Sequence, residues 1–537
     1  VDDRADGFGP GLPPGLADDA GGGLFFADAD PGLLVALCGL DGLGGQPVGA
    51  AFGQGGAADV LPPGPVLAVA AAQALANPDS LSDDELTGVL QAGRRLSNLG
   101  DYQQTVAIAA LTRRRQAEFE SARAAGKPVG CRPGAFPGEE LAIELAETPN
   151  YAGLRADTAV ELTGRLPRTL AGLADGSIDL NRAMIIAQHT QILADADAAC
   201  ADEVLAAVAA DKRPDQLARK AAALELKLAP EAVRARKERA KRDDQRVETR
   251  REASGNASLA GRELDTGDVM ASKAYIDELA VRLRDSGLVE GTLPRLRALV
   301  LTDLTQGRDP LDRIKPDRIK FGPESEPAPG PATLPALINL VVPAATLLAQ
   351  GAVPAQAGGW GLLDGDETRD VVRAASRHPR TRWCVTLTGS DGTAVAHGCA
   401  AGRHPWTGNG PVPPQDQLVE LLRRLKVTLE PVARDTCGHV HAETRYVPGR
   451  KLRHLVQARS QTCTAPGCNA QAVHCDTDHT VPYPDGPTCQ CNLAPKCRRH
   501  HRTKQAPGWH VTQPTPDVST WTTPAGRTHV SRATVYD

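Results

Sequence analysis

Apolar and polar positions show little sustained alternation over the first eighty residues, which are rich in Gly, Ala, Asp and Pro. That composition predicts a partly disordered segment over 1–79, with short helices at Leu33–Leu40 and Val66–Ala76. Helical periodicity then takes over. Ser82 followed by Glu85 makes a capping box, and Leu86, Val89 and Leu90 recur on one face behind it. A second helix is predicted over 101–125, burying Val106, Ile108 and Leu111. Further helices are expected near 138–148, 155–165, 179–192, 196–210, 213–227, 230–245, 268–286 and 292–306. Turn signals at Leu166-Pro167-Arg168 and Ala174–Ser177 separate them, and a two-stranded piece is expected around Gly255-Asn256. Residues 80–306 therefore read as one helical domain.

The pattern breaks at 307–335, where seven prolines predict a linker or loop. Residues 336–436 read as a mixed α/β continuation of the N-terminal domain. A strand is expected at Leu337–Val342 and a helix through Ala375 capped by Asp364 with Glu367. Trp383–Leu387 and Thr393–His397 flank a Gly389–Gly392 hairpin turn, and a helix is expected over Gln415–Leu425. Residues 437–537 form the last domain, whose tail after Trp509 alternates like a closing β-hairpin.

Composition supports a helical core. Aromatics are only 3% of the 537 residues, so the core is built mainly from Ala, Leu and Val. The longest apolar stretch, Leu337–Ala349, is too short to span a bilayer and contains Pro343. The acidic start Val1-Asp2-Asp3-Arg4 lacks the basic and apolar regions of a signal peptide, so a cytoplasmic protein without a membrane partner is expected. The chain carries a net charge of −5, yet Arg445–Lys504 holds ten Lys/Arg against three Asp/Glu. A basic segment on an acidic chain points to a nucleic-acid site. The mixed charges of Ala235–Arg251 read instead as a solvated helix face.

Six of the twelve cysteines fall between Cys463 and Cys497. In a long cytosolic chain such a cluster with interleaved His reads as metal binding rather than a disulfide framework. Cys463 and Cys468 flank a Pro-Gly knuckle, and Cys497 and His500 share a helix face, which together make a Cys₃His zinc site. Cys497 is also four residues before His501, so helix spacing alone leaves open which His joins the zinc. Asp478 and His479 are neighbours in a β-prone stretch and point to opposite faces, so one can ligate a metal while the other addresses substrate. Phosphodiester cleavage needs a base and a cation, and a neutral His is the natural base near pH 7.

Asp478-His479, Asn492 and His501, framed by paired zinc ligands, resemble the HNH (ββα-metal) endonucleases. The run Tyr446–Trp509 is similar to the HNH domain of a group in high-G+C bacteria that carries an N-terminal helical domain of unknown function. Leu162–Pro167 through Ala174–Gly176 resembles that N-terminal domain. The fold implied is a mainly α N-terminal region plus a small α+β C-terminal ββα-metal domain containing zinc.

The resemblance implies His479 as general base, Asn492 as brace of the ββ loop, and Asp478 with His501 as ligands of a catalytic divalent cation, Mg²⁺ or another. It assigns Cys463, Cys468, Cys497 and His500 to structural Zn²⁺, and implies 5′-phosphate and 3′-hydroxyl products. Arg498, Arg499, Arg502 and Lys504 would hold phosphates. DNA is the expected partner, with RNA left open, and oligomeric state is not legible. The competing reading is a non-catalytic zinc module that binds DNA or protein. Cys475, Cys489 and Cys491, with His474, have no role in the basic pattern; buried thiols are favoured over an alternative zinc set or a redox pair. His439 and His441, near Cys437, read as ordinary polar residues.

Overall fold

The computed structural model describes residues 48–126, 137–315, 340–347, 351, 353–357, 361–376, 381–400, 420 and 425–536. The expected helices at Leu33–Leu40 and over most of Gln415–Leu425, and most of the Pro-rich stretch, lie outside these residues. The described residues form two units: one runs up to Arg115 and resumes over Asn150–Val233, the other takes Gln116–Pro149 and everything from Arg234 on.

The first unit is helical. Pro65, Pro167 and Pro214 each begin one of its helices, so these prolines mark helix starts rather than loops. The Ser82–Glu85 capping box is formed, Ser82 N–H donating to Glu85 Oε2 (2.8 Å) and Glu85 N–H to Ser82 Oγ (3.3 Å). The helix it starts runs from Asp83 to Ala124 without a break, so the capping-box helix and the helix expected over 101–125 are one element. Ile108 is buried as expected on this helix, but Val106 is 38% exposed because it lies off the packed stripe. Leu162, Leu166, Ile186, Leu205 and Leu217 build the main core, with alanines such as Ala183, Ala198 and Ala201 letting the helices approach closely.

The short helix Pro167–Ala174 is absent from the sequence expectation, because turn signals bracket it on both sides. Its N-terminus is capped from another helix. Buried Asp202 accepts from Arg168 N–H (2.7 Å), Thr169 N–H (3.0 Å) and Thr169 Oγ1 (2.5 Å). At its far end Gly176 adopts φ 83°, and a Cβ there would meet Arg95 Cβ at 2.8 Å, so this turn requires glycine.

In the second unit the expected two-stranded piece is Arg246–Arg251 paired antiparallel with Ala257–Arg262. Helices Thr266–Asp285 and Leu293–Thr305 pack through Leu279, Leu283, Leu296 and Val300. On the mixed-charge helix Pro230–Asp243, Lys241 pairs with Asp265 (2.8 Å) and Arg242 with Asp243 (2.9 Å), as a solvated face does. The hairpin Cys384–Thr388 with Ala394–Cys399 takes Glu430–Pro431 as a third strand.

Helix Arg450–Arg459 links that sheet to the C-terminal region. Leu455 and Ala458 pack on Ala394 and Val432, while Leu452 and Val456 pack on Leu493. Beyond it come strand Asp476–His479, strand Leu493–Lys496 antiparallel to it, and helix Arg498–Thr503. Residues after Trp509 form a three-stranded antiparallel sheet, His510–Thr515, Val518–Thr522 and Thr528–Arg532, one strand more than the expected hairpin. Trp509 and Trp521 meet edge to face (6.1 Å), and Phe119 joins them in one core with Cys463 and Ala506. Among the described residues, no helix is long and apolar enough to cross a membrane.

Candidate active site and metal centre

The knuckle that begins at Cys463 is set by backbone geometry. Cys463 N–H donates to Ala470 O (2.8 Å), Cys468 N–H to Ala465 O (3.1 Å), and Gly467 turns the chain at φ 70°. Cys497 caps the helix that carries His500 one turn on. The ligand atoms of Cys463, Cys468, Cys497 and His500 come together within 4.8 Å of one another. His500 Nδ1 is 3.2 Å from Cys497 Sγ and 3.6 Å from Cys463 Sγ.

Without a cation these groups compete for protons. The hydrogen bond to Cys463 pushes the Cys468 thiol up, whereas those to Cys463 and Cys468 push Cys497 down. Burial pulls His500 down, but its contacts with Cys468 and Cys497 more than reverse this, to about 9. A thiolate-rich set of three Cys and one His, with Cys463 and His500 buried and Cys468 and Cys497 half-buried, fits tetrahedral zinc.

The other nitrogen of His500 faces a residue that sequence reasoning did not find. Glu139, 1% exposed, places Oε2 3.1 Å from His500 Nε2. It sits on the short helix Pro137–Glu144, over three hundred residues earlier in the chain. A carboxylate on the far nitrogen of a ligating His fixes the ring and raises its basicity. Arg499 also turns onto Glu139, so this guanidinium, expected among the phosphate contacts, has a structural partner.

The second group lies on the strand pair. Register places Asp478 opposite Ala494 and His479 opposite Leu493. Asp478 Oδ1 is 3.2 Å from His501 Nε2, and the other ring nitrogen of His501 is 2.8 Å from Asp476. These carboxylates, Asp478 first, raise the His501 pKa against the effect of burial. Burial would raise Asp478, but His501, Lys496 and Lys504 hold it well below the carboxylate range.

Lys504, expected at a phosphate, instead places Nζ 2.6 Å from Asp478 Oδ2, and fully buried Lys496 lies 3.3 Å from the same oxygen. Arg498 remains largely exposed beside Asp476 (3.1 Å), and Arg502 is exposed.

His479 is 5% exposed and stacks under Tyr446, with centroids 5.3 Å apart and planes 13° apart. Its Nε2 is 2.8 Å from Thr488 Oγ1. Burial lowers its pKa, which favours the neutral ring. Asn492 ties both ends of the loop between the strands. Its Oδ1 accepts from Val481 N–H (2.7 Å), while its Nδ2 donates to Val481 O (2.9 Å) and Pro487 O (3.1 Å).

Two further Cys/His groups are present: Cys437, His439, Cys489 and Cys491, and Cys384, His397, Cys399 and His454. His439, Cys489 and Cys491 are therefore not isolated polar or buried residues. Cys475 does behave as a half-buried thiol, its Sγ 3.3 Å from Gln471 O.

Residues 103–281 match the family model described as "Domain of unknown function (DUF222)", where the helical region resembles such a domain. Uncharacterized protein Rv2100 of Mycobacterium tuberculosis is 39% identical over 126 residues, covering 23% of this chain and 22% of that protein. Uncharacterized protein Rv3776 of the same organism is 41% identical over 95 residues, covering 18% of each chain. The chain thus spans about a fifth of the length of these curated relatives. No solved structure matches.

Proposed function

We propose that this chain is a metal-dependent endonuclease that hydrolyses DNA phosphodiester bonds at the strand–loop–strand–helix around His479, an HNH-type ββα-metal site. The observation that carries the reading is the pairing of Asp478 with His501 at 3.2 Å, on the strand that presents His479. A purely structural zinc knuckle has no use for this second acid–imidazole group.

The residues present suit a divalent cation. A carboxylate and an imidazole converge at Asp478 Oδ1 and His501 Nε2, a donor pair of the kind that holds a divalent cation. Asp478 and His501 would hold the cation, which supplies charge neutralisation at the phosphate and at the leaving 3′ oxygen. Asp476 orients His501 through its other nitrogen. His479, with Nε2 anchored on Thr488, accepts a proton from the attacking water at Nδ1. Asn492 keeps the loop closed so that this ring stays in register. Arg498 and Arg502 hold phosphates without reading bases.

One observation favours the non-catalytic zinc module: Lys496 and Lys504 together already neutralise Asp478. Plasmid nicking by the zinc-loaded full chain, with Mg²⁺, Mn²⁺ or EDTA, tests the two readings. Divalent-dependent nicking is the expected result. Binding without nicking in any of the metals replaces the enzyme by the binding module.

A further inference from the structure

We propose that the two further Cys/His groups each hold a structural zinc ion, making the second unit a three-zinc body. The proposal is independent of the nuclease reading.

The first group is assembled from two short-spaced pairs. Cys437 and His439 come from the loop before helix Arg450–Arg459, and Cys489 and Cys491 from the loop between the strands that carry His479 and Asn492. All four ligand atoms lie within 4.8 Å of one another. Cys437 Sγ and Cys489 Sγ are 3.4 Å apart, and Cys491 Sγ is 3.7 Å from His439 Nδ1. A disulfide needs about 2.05 Å. Two thiolates on one tetrahedral zinc, with bonds of about 2.3 Å, stand about 3.8 Å apart. The sulfur spacing is thus far nearer to a shared ion than to a bond. His439 holds a left-handed backbone (φ 55°), an uncommon conformation for a residue with a side chain that here brings its ring to the thiols.

The second group stands on a separate observation. Cys384 and Cys399 face each other across the hairpin, with sulfurs 3.2 Å apart. His397 lies two residues before Cys399 and so on the same sheet face. His454 reaches in from helix Arg450–Arg459, Nδ1 3.0 Å from Cys399 Sγ. His397 is 9% exposed; Nδ1 is engaged by Thr386 Oγ1 at 2.9 Å, whereas buried Nε2 has no hydrogen-bond partner. A buried imidazole nitrogen left unpaired among thiols, with its other nitrogen fixed by a hydroxyl, is what a ligating His with a positioning partner looks like.

Each ion would have a definite task. The Cys437 group pins the Cys489–Cys491 knuckle, next to Thr488 and Asn492, and so fixes the loop that positions His479. The Cys384 group fastens the hairpin to helix Arg450–Arg459, whose opposite face packs on Leu493.

Elemental analysis of the full chain purified under reducing conditions is expected to give three zinc per chain. Cys491→Ser and Cys399→Ser should each reduce the count to two. The wild type supplies a test that needs no variant to fold: thiol-reactive dye should label Cys384, Cys399, Cys437, Cys489 and Cys491 only after chelation. One zinc per chain, ready labelling of these thiols before chelation, or a Cys384–Cys399 disulfide found by mass overturns the proposal. A count of two overturns it for the group whose variant leaves the count unchanged.

Discussion

Replacing Glu139 by Gln removes the charge behind His500 while keeping size and shape. The carboxylate is buried, 3.1 Å from His500 Nε2, and holds the ring so that Nδ1 meets Cys497 at 3.2 Å and Cys463 at 3.6 Å. The amide fills the same space but no longer presents a charge to His500 Nε2, so the ring loses basicity. Loss of such a partner typically weakens metal affinity about 10–100-fold. That equals about 1.4–2.7 kcal/mol at 25 °C. Because a small zinc site binds and folds together, the same amount leaves the stability of the surrounding body.

The assay is chelator competition on the full chain, following the zinc that wild type retains and the variant releases. Glu140→Gln is the control: Glu140 is equally buried and accepts from Ala525 N–H at 3.0 Å, away from His500. Equal zinc retention by wild type and Glu139→Gln, or equal loss in both variants, refutes the reasoning.

Three other outcomes are expected. Arg498→Ala and Arg502→Ala should weaken binding to all DNA sequences alike and flatten its salt dependence, measured by titration across salt concentrations; loss confined to one sequence contradicts phosphate contact. Asn492→Ala removes three hydrogen bonds from the ββ loop and should slow cleavage with zinc content unchanged; unchanged rate in a folded variant refutes the brace. Asp303 is 1% exposed and paired with Arg313 and Arg308, and its contact with Arg313 leads the lowering of its pKa below 3.8. Its stabilising contribution is therefore present above pH 3.8 and lost as pH falls through the lowered native value, and Asp303→Asn, which leaves both partly exposed guanidinium groups solvated, should cost about 1.5–3 kcal/mol near neutral pH, read by denaturant unfolding.

What could be read from the sequence was local. The Ser82–Glu85 box, the 3.6-residue periodicity and the Gly255-Asn256 turn are each contained within a few residues, and the helices and hairpin they signal are present. A separate helix is expected over 101–125, but Gly100 before it does not end the first: a single glycine costs a helix only about 1 kcal/mol, and packing overrides it. The Cys463, Cys468, Cys497 and His500 group was legible because its two halves are short-spaced pairs near the C-terminus. The same signal exists in Cys437/His439, Cys489/Cys491 and His397/Cys399, but nothing local says which pair meets which. Glu139 gave no signal at all: its partner is brought to it by the packing of Phe119 and Ile143 against the tryptophan core. Lys496 and Lys504 likewise meet Asp478 only once the strands and the helix are in place.

The measurement that bears most directly on the central claim is cleavage by His479→Ala beside wild type, with matched zinc content and DNA affinity. His479 lies outside every Cys/His group, so its removal should leave the metals in place. Losing a general base costs about 10²–10⁴-fold in rate. The account predicts that loss for His479→Ala, with no rescue by excess Mn²⁺. Equal nicking by wild type and His479→Ala, under the same divalent ion, contradicts it.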